Sequence, residues 1–297
     1  MKINIFKDNF VENIYAEQKL ANHTWFGVGG NAEILYIPEE EKSLEKFLKV
    51  KPNDCKVFTI GAGSNLLVRD NGIDGVTLIT SKLNKISIDK DGIITANSGS
   101  IDAEVARFAR DHSRSGLEFL IGIPGTIGGG IKMNSGAFGS EFKDVLIDVK
   151  AINHDGEYKI FSNEDLKMEY RKIGLKDEWI FLSARFKTST DSEKNIRDKM
   201  KNIILSRKSA QPIGVKTGGS TFKNPVGKKA WQLIDQAGCR GWKNGDAMIS
   251  EKHCNFIVNL KNAKAHQIEE LGQNVKQKVF ENSGIHLHWE IERVGNR

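Results

Sequence analysis

The sequence predicts an α+β protein of two or three lobes, and three observations carry that reading. The chain has 297 residues, more than one compact core ordinarily holds. Segments with apolar residues at helical spacing are interleaved with strand-like runs, two of which turn at Asp-Gly pairs. Three glycine clusters interrupt the first two thirds of the chain.

Taken in order, Leu44, Phe47 and Leu48 recur at helical spacing, and Val57-Phe58-Thr59-Ile60 then reads as a strand running into Gly61-Ala62-Gly63. Residues 76–79 read as another strand and residues 86–94 as a hairpin turning at Asp91-Gly92. A helix begins near Ser100 or Asp102, buries Val105, Phe108 and Ala109, and stops by Gly116. After a glycine-dense loop over residues 122–130 the chain returns to strands at 145–152 and 179–186, with a turn at Asp155-Gly156. A charged linker over residues 188–194 leads into a helix carrying Ile196, Met200, Ile203 and Ile204 on one face, and a domain boundary is expected there. The last third holds a short helix over 229–237 ended by Gly238, a long helix with Ile268, Leu271, Val275 and Val279 inward, and a terminal strand over 286–294.

Apolar residues at 39% and charged residues at 28% describe a chain that folds throughout. The charge of +6 is spread along the sequence, which suits anionic small ligands better than a nucleic-acid stripe. Cys55, Cys239 and Cys254 are too few and too distant for a disulfide framework or a metal knuckle, so a reducing compartment is expected. The leader from Met1 to Asp8 breaks its apolar residues with charges and has no export core, and the apolar stretch 119–131 is interrupted by Pro124 and glycines. A soluble, cytoplasmic protein is expected, without membrane or nucleic-acid partner and acting as a monomer.

Gly27-Val28-Gly29-Gly30, Gly61-Ala62-Gly63-Ser64-Asn65 and the run Gly122-Ile123-Pro124-Gly125-Thr126-Ile127-Gly128-Gly129-Gly130 form the three clusters. Glycine lets the main chain approach a ligand closely, so successive N–H groups can converge on a diphosphate; structural turns are the plainer alternative for any one cluster. The second cluster carries Leu66 where a dinucleotide fingerprint needs its third glycine, and Phe222 stands where a P-loop ending in Gly227-Lys228 needs its first. A different phosphate cradle is therefore expected, with Ser64 and Asn65 adding side-chain hydrogen bonds.

These clusters stand within a longer ordered series: Asn22-His23-Thr24-Trp25-Phe26 before the first cluster, Leu66-Leu67 after the second, Asn134-Ser135-Gly136-Ala137 after the third, then Tyr170-Arg171, Gly218-Gly219-Ser220-Thr221-Phe222-Lys223-Asn224-Pro225 and Trp289-Glu290-Ile291-Glu292-Arg293. Over nearly its whole length the chain resembles the UDP-N-acetylenolpyruvoylglucosamine reductase family. The resemblance implies a vanillyl-alcohol-oxidase-like (PCMH-type) FAD-binding fold in two subdomains, residues 1–75 and 76–190, followed by a substrate-binding domain over 191–297. It implies non-covalent FAD between them, NADPH as hydride source and a UDP-sugar substrate. By the same resemblance Gly29, Gly61, Ala62, Gly63, Ser64, Asn65 and Leu66 wrap the FAD diphosphate, while Gly122, Pro124, Gly125, Thr126, Gly128 and Gly129 pack near the flavin.

Reduction of an enolpyruvyl ether needs hydride on the terminal carbon, stabilisation of charge beside the carboxylate, and a proton. The resemblance carries the proton-donor role to Ser220 and the stabilising roles to Arg171 and Glu290. Arg171 offers a rigid fork of donors for a carboxylate, although arginine on such a segment is ordinarily a structural ion pair. Glu290 alternates with Trp289 and Ile291, a pattern that by itself describes a solvent face. Asn224 and Lys208 are candidates to grip the substrate, Lys208 also being suited to a helix C-terminus. His286 and His288 lack a third ligand at suitable spacing, and no metal is expected. Two features depart from the family pattern: Ile173 stands where many members carry a small polar residue, and no Tyr follows Tyr170 to supply the lid of one subclass. The chain resembles the shorter subclass without that lid. Two other readings stay open at this stage: an alcohol or sugar oxidase of the same flavin superfamily, and a non-catalytic nucleotide- or nucleic-acid-binding protein suggested by the pI of about 9.0 and the glycine loops.

Overall fold

A computed structural model describes residues 3–9, 11–176 and 178–297; Met1 and Lys2 of the leader lie outside the described residues. The chain is α+β and divides into two compact units, one of residues 1–16, 34–62 and 75–207, the other of 17–33, 63–74 and 208–297.

The first unit has two apolar cores on either side of an antiparallel sheet. In one, the helix Glu41–Val50 turns Leu44, Phe47 and Leu48 inward. Phe47 packs on Phe6 and Tyr36 with ring centroids 5.2 and 4.5 Å apart. Beside it Val57–Ile60 pairs in parallel with the strand Ile73–Ile79, in register from Val57↔Val76 to Ile60↔Ile79. The dividing sheet has five strands in the order Tyr158–Ser162, Leu146–Asn153, Trp179–Phe186, Ile94–Asn97, Ile86–Ile88. Successive strand residues face opposite sides. Ile180 and Leu182 therefore join the first core, and Phe181 joins the second.

The second core also takes the helices Asp102–Asp111, Ile127–Lys132 and Glu193–Ala210. Here three expectations change. The first of these helices stops before Gly116 as expected, at Asp111, but Ala106 rather than Phe108 is buried beside Val105 and Ala109; Phe108 stacks on His112 at 4.2 Å. The glycine-dense loop is part helical, because Thr126 starts the six-residue helix Ile127–Lys132 and only glycine fits where it presses on its neighbours. A Cβ on Gly130 would lie 2.2 Å from the Phe142 ring. Ile204 is 46% exposed, whereas Ile196 and Met200 are buried.

The second unit is built on a four-stranded sheet ordered Lys216–Ser220, Phe256–Asn259, Ala247–Ile249, Lys243–Asn244. The helix Ala265–Ser283 buries Ile268, Leu271, Val275 and Val279 in the same core and ends at Gly284, whose φ of 68° is the left-handed cap glycine favours. The expected terminal strand shrinks to Glu292–Val294, paired in parallel with Leu66–Val68. Upstream, Trp289 makes only a single bridge to Phe222, with its ring pressed where a Cβ on Gly272 would lie 2.2 Å away. Arg69 and Arg293 both bond Glu269, tying this short ladder to the long helix.

Candidate active site

In the first unit Gly61, at the head of the second glycine cluster, meets the third. A Cβ on Gly61 would lie 2.3 Å from Thr126 Oγ1, and one on Gly128 would lie 3.0 Å from Ser98 Cβ. Gly128 N–H donates to Ser98 O at 2.8 Å, and Ile127 N–H to Ser100 O at 3.0 Å. The third cluster is thus bonded to the main chain of Ser98 and Ser100 and packed on Gly61, with the hydroxyls of Ser98 and Thr126 buried beside it and unpartnered. Orphaned buried hydroxyls against a side-chain-free cradle fit a ligand rich in phosphate, ribityl and ring heteroatoms, as FAD is. Gly122 is tight for a different reason: its Cβ would meet Phe138 at 2.8 Å and Ile203 at 2.9 Å. Gly125 O accepts the Asp102 N–H at 3.1 Å, while Pro124 is half-buried and Gly129 exposed. The Asp102 carboxyl is fully buried with both oxygens unpartnered, and burial raises its pKa well above the usual 3.8.

Arg171 also belongs to the first unit, in the turn closed by the Glu169↔Lys172 bridge. Its φ of 55° is left-handed, a strained choice for a residue with a side chain. The guanidinium donates to Asn134 O at 3.3 Å and to Gly136 O at 3.1 Å, and lies 4.9 Å from the Tyr170 ring centroid. Asn134, fully buried, in turn donates from Nδ2 to Glu169 O at 3.0 Å and accepts the Lys143 N–H at 3.0 Å. Ile173 is buried rather than turned toward the guanidinium's polar contacts.

Ser220 and Glu290 belong to the second unit, and the fold brings their segments together. Glu290 N–H donates to Thr221 O at 2.9 Å, and Lys223 N–H to His288 O at 2.8 Å. The strand Lys216–Ser220 breaks register between Thr217 and Ser220 and resumes at Ser220↔Phe256. Gly219, at φ 80°, makes that bulge possible. Asn65 takes a second part here: Nδ2 donates to Glu290 O at 3.0 Å, and Asn65 O accepts the Glu292 N–H at 3.0 Å. Nearby, a Cβ on Gly63 would lie 2.1 Å from His23 O, and one on Gly29 2.7 Å from Val68 Cβ. Glycine is required at both for this close approach. Leu66 is buried in the ladder with Glu292, and Ala62 and Ser64 are half-buried.

Asn224 is exposed, and its Oδ1 accepts the Ala230 N–H at 2.9 Å, capping the helix Ala230–Gln236. Lys208 is exposed and its carbonyl accepts from Lys252 Nζ at 2.7 Å. His286 and His288 are both exposed. Two residues of the site escaped the sequence reading: Asn134, quoted only as part of a motif, and Asn255. The signal for Asn255 is an amide in the otherwise apolar run Asn255-Phe256-Ile257-Val258.

Comparison with known proteins bears on both units. Residues 211–294 match the family described as UDP-N-acetylenolpyruvoylglucosamine reductase, C-terminal domain, and residues 32–162 match the FAD binding domain family. A crystal structure of the reductase from Thermus caldophilus superposes with a TM-score of 0.81 at 33% identity, covering 94% of this chain and 97% of that one. Berberine bridge enzyme, at 14% identity and a TM-score of 0.52 over 64% of this chain and 43% of that one, shares the fold alone. The curated UDP-N-acetylenolpyruvoylglucosamine reductases of Rickettsia bellii (strain RML369-C) and Paramagnetospirillum magneticum are each 47% identical to it over 94% of this chain, and over 93% and 91% of their own lengths. A likeness that runs through the FAD cradle, the arginine turn and the serine bulge alike means that the chain belongs to the UDP-N-acetylenolpyruvoylglucosamine reductase family.

Proposed function

We propose that this chain carries out its family's reaction with Arg171, Ser220 and Glu290 as the catalytic residues: UDP-N-acetylglucosamine enolpyruvate is reduced to UDP-N-acetylmuramate, with NADPH as reductant, in peptidoglycan precursor synthesis. The observation that carries the reading is the joining of the Ser220 and Glu290 segments through the Glu290 N–H to Thr221 O bond of 2.9 Å. FAD, held by the glycine cradle when bound, supplies hydride taken from NADPH.

Everything else falls to side chains. Hydride on the terminal carbon leaves an electron pair on the carbon bearing the carboxylate, delocalised into it. Arg171 grips that carboxylate with paired N–H donors as charge builds, an electrostatic contribution that grows toward the transition state. Ser220 Oγ gives its proton to the carbon, completing the C–H bond, and solvent reprotonates the oxygen. Glu290, whose main-chain N–H and O are both bonded, by Thr221 O and Asn65 Nδ2, is proposed to set its carboxyl beside the same charge. Lys208 and Asn224 are proposed to contact the substrate. We assign the work to a monomer in the cytoplasm, where Cys55, Cys239 and Cys254 remain the buried free thiols they are here. No described helix is long and apolar enough to cross a membrane.

The test is an anaerobic titration. NADPH bleaches the yellow protein, and the enolpyruvyl UDP-sugar restores the colour. Ser220→Ala is expected to bleach normally and to recolour about 10²- to 10⁴-fold more slowly, the range general acid catalysis supplies. Recolouring at the parent rate removes Ser220 as proton donor, and peroxide made from a sugar alcohol favours an oxidase instead.

A further inference from the structure

We infer that Asn255 is a positioning residue for Ser220, setting the proton donor's direction through the main chain of Thr221 and Phe222; the inference rests on the reading of Ser220 as the proton donor. Asn255 is 4% exposed in the second unit's core. Its carboxamide spends both functions on a single residue, Oδ1 accepting the Phe222 N–H at 3.0 Å and Nδ2 donating to Phe222 O at 2.8 Å. Its main-chain oxygen accepts the Thr221 N–H at 2.7 Å. Two residues on, Ile257 N–H donates to Thr221 Oγ1 at 3.2 Å. Asn255 N–H is itself fixed, donating to His253 Nδ1 at 3.3 Å.

The place of this clamp gives it its meaning. The ladder between Lys216–Ser220 and Phe256–Asn259 loses register between Thr217 and Ser220 and resumes only at the single pair Ser220↔Phe256, the last position of its strand, so the residues that follow carry much of what holds the serine's backbone in place. A serine oxygen lies one bond beyond Cβ, and its position is therefore set by the backbone and the choice of one rotamer. The residues just after Ser220 are held by Asn255 on three main-chain groups. Thr221 O also receives Glu290 N–H, so a shift of this segment moves the serine and the glutamate together. Asparagine is suited to the task because its carboxamide matches the donor and acceptor of one peptide residue at once. A buried amide kept in an apolar sheet gives a defined geometry where a valine would only fill space.

The test uses the FAD-loaded full chain in the two separated half-reactions. Asn255→Ala is expected to leave NADPH bleaching within about twofold and to slow recolouring roughly 10²-fold, the effect of misplacing a reacting group by about 1 Å. Added to Ser220→Ala, it is expected to slow recolouring by less than about threefold more, because residues acting as one unit are not additive. Asn255→Asp keeps the shape and the acceptor but sets an oxygen against Phe222 O; it is expected to match Asn255→Ala, and it replaces it should the alanine variant not fold. Recolouring at the parent rate in Asn255→Asp, or a full further loss in the double variant, overturns the inference while leaving Ser220 in place. Parent-rate recolouring in Ser220→Ala alone removes the proton-donor reading and the inference together.

Discussion

Arg171 is carried by contacts its own side chain makes to two carbonyls, from a turn whose backbone is strained at φ 55°. Ser220 is carried by bonds its neighbours make, from the end of a bulge in a sheet. The difference follows from reach. A guanidinium stands at the end of four rotatable bonds and can correct for a backbone that is only approximately placed. A hydroxyl has one such bond and inherits every backbone error. A flexible turn suffices for the cation, whereas the proton donor needs a ladder and a clamp.

The comparison predicts how each segment fails. In the arginine's segment the largest effect is expected for Arg171→Lys, which keeps the charge and the long reach but loses the fork: kcat/KM falls by about 10²- to 10³-fold, as for loss of one donor to developing charge. A change of less than threefold would mean that reach and charge alone do the work. Asn134→Ala removes the bonds to Glu169 O and Lys143 N–H that hold the arginine's turn. Because the guanidinium can readjust, KM is expected to rise roughly tenfold with kcat within about threefold, the pattern of lost uniform binding. A fall in kcat as large as that of Asn255→Ala would erase the distinction between the two segments.

The smallest effects separate the two units by acid and base. Glu269 of the second unit is held below its usual 4.5 by its bonds to Arg69, so its stabilising contribution is present above that value and is lost as pH falls through the lowered pKa. Glu269→Gln should be about 2 kcal/mol less stable at pH 7, from lost charge-assisted hydrogen bonds, with the gap closing in acid. Asp102 of the first unit runs the other way. Burial raises its pKa, so the unfolded chain gives up this proton first and stability is lost as pH rises above 3.8 toward the folded value. Asp102→Asn should therefore melt higher than the parent at pH 8, by a margin that shrinks toward pH 5; a constant margin would show that folded Asp102 is already ionised at pH 5.

Much of this was legible in the sequence, for reasons that differ by residue. Periodicity alone marks Leu44, Phe47 and Leu48, and Ile268, Leu271, Val275 and Val279, all buried as their spacing requires. It misplaces Ile204, which follows the inward Met200 at helical spacing yet is 46% exposed, the helix turning its neighbour Ile203 against the core instead. The strand expected over 286–294 forms only at Glu292–Val294, since strand length is set by the partner, and the partner is the three-residue strand Leu66–Val68. Periodicity carries no information about a neighbour more than two hundred residues away. The roles of Arg171, Ser220 and Glu290 came from resemblance, because an arginine in a turn, a serine after glycines and a glutamate in an alternating run each have a commoner structural use. Asn255 gave the faintest signal, one amide among apolar residues, and its importance lies in a bulge that only coordinates reveal.

The parallel pairing of Glu292–Val294 with Leu66–Val68 orders events during synthesis. The first unit draws on nothing beyond residue 207, and its two cores can close while translation is still under way. The second unit has its early stretches, 17–33 and 63–74, emerge from the ribosome long before the strand that completes their ladder. Those stretches hold the first glycine cluster and the end of the second, and the ladder on Leu66–Val68 stays incomplete until residues 292–294 are made. Sequence separation of that size slows folding. The step that finishes the serine's half of the molecule is therefore expected to come last, after the two cores of the first unit have formed.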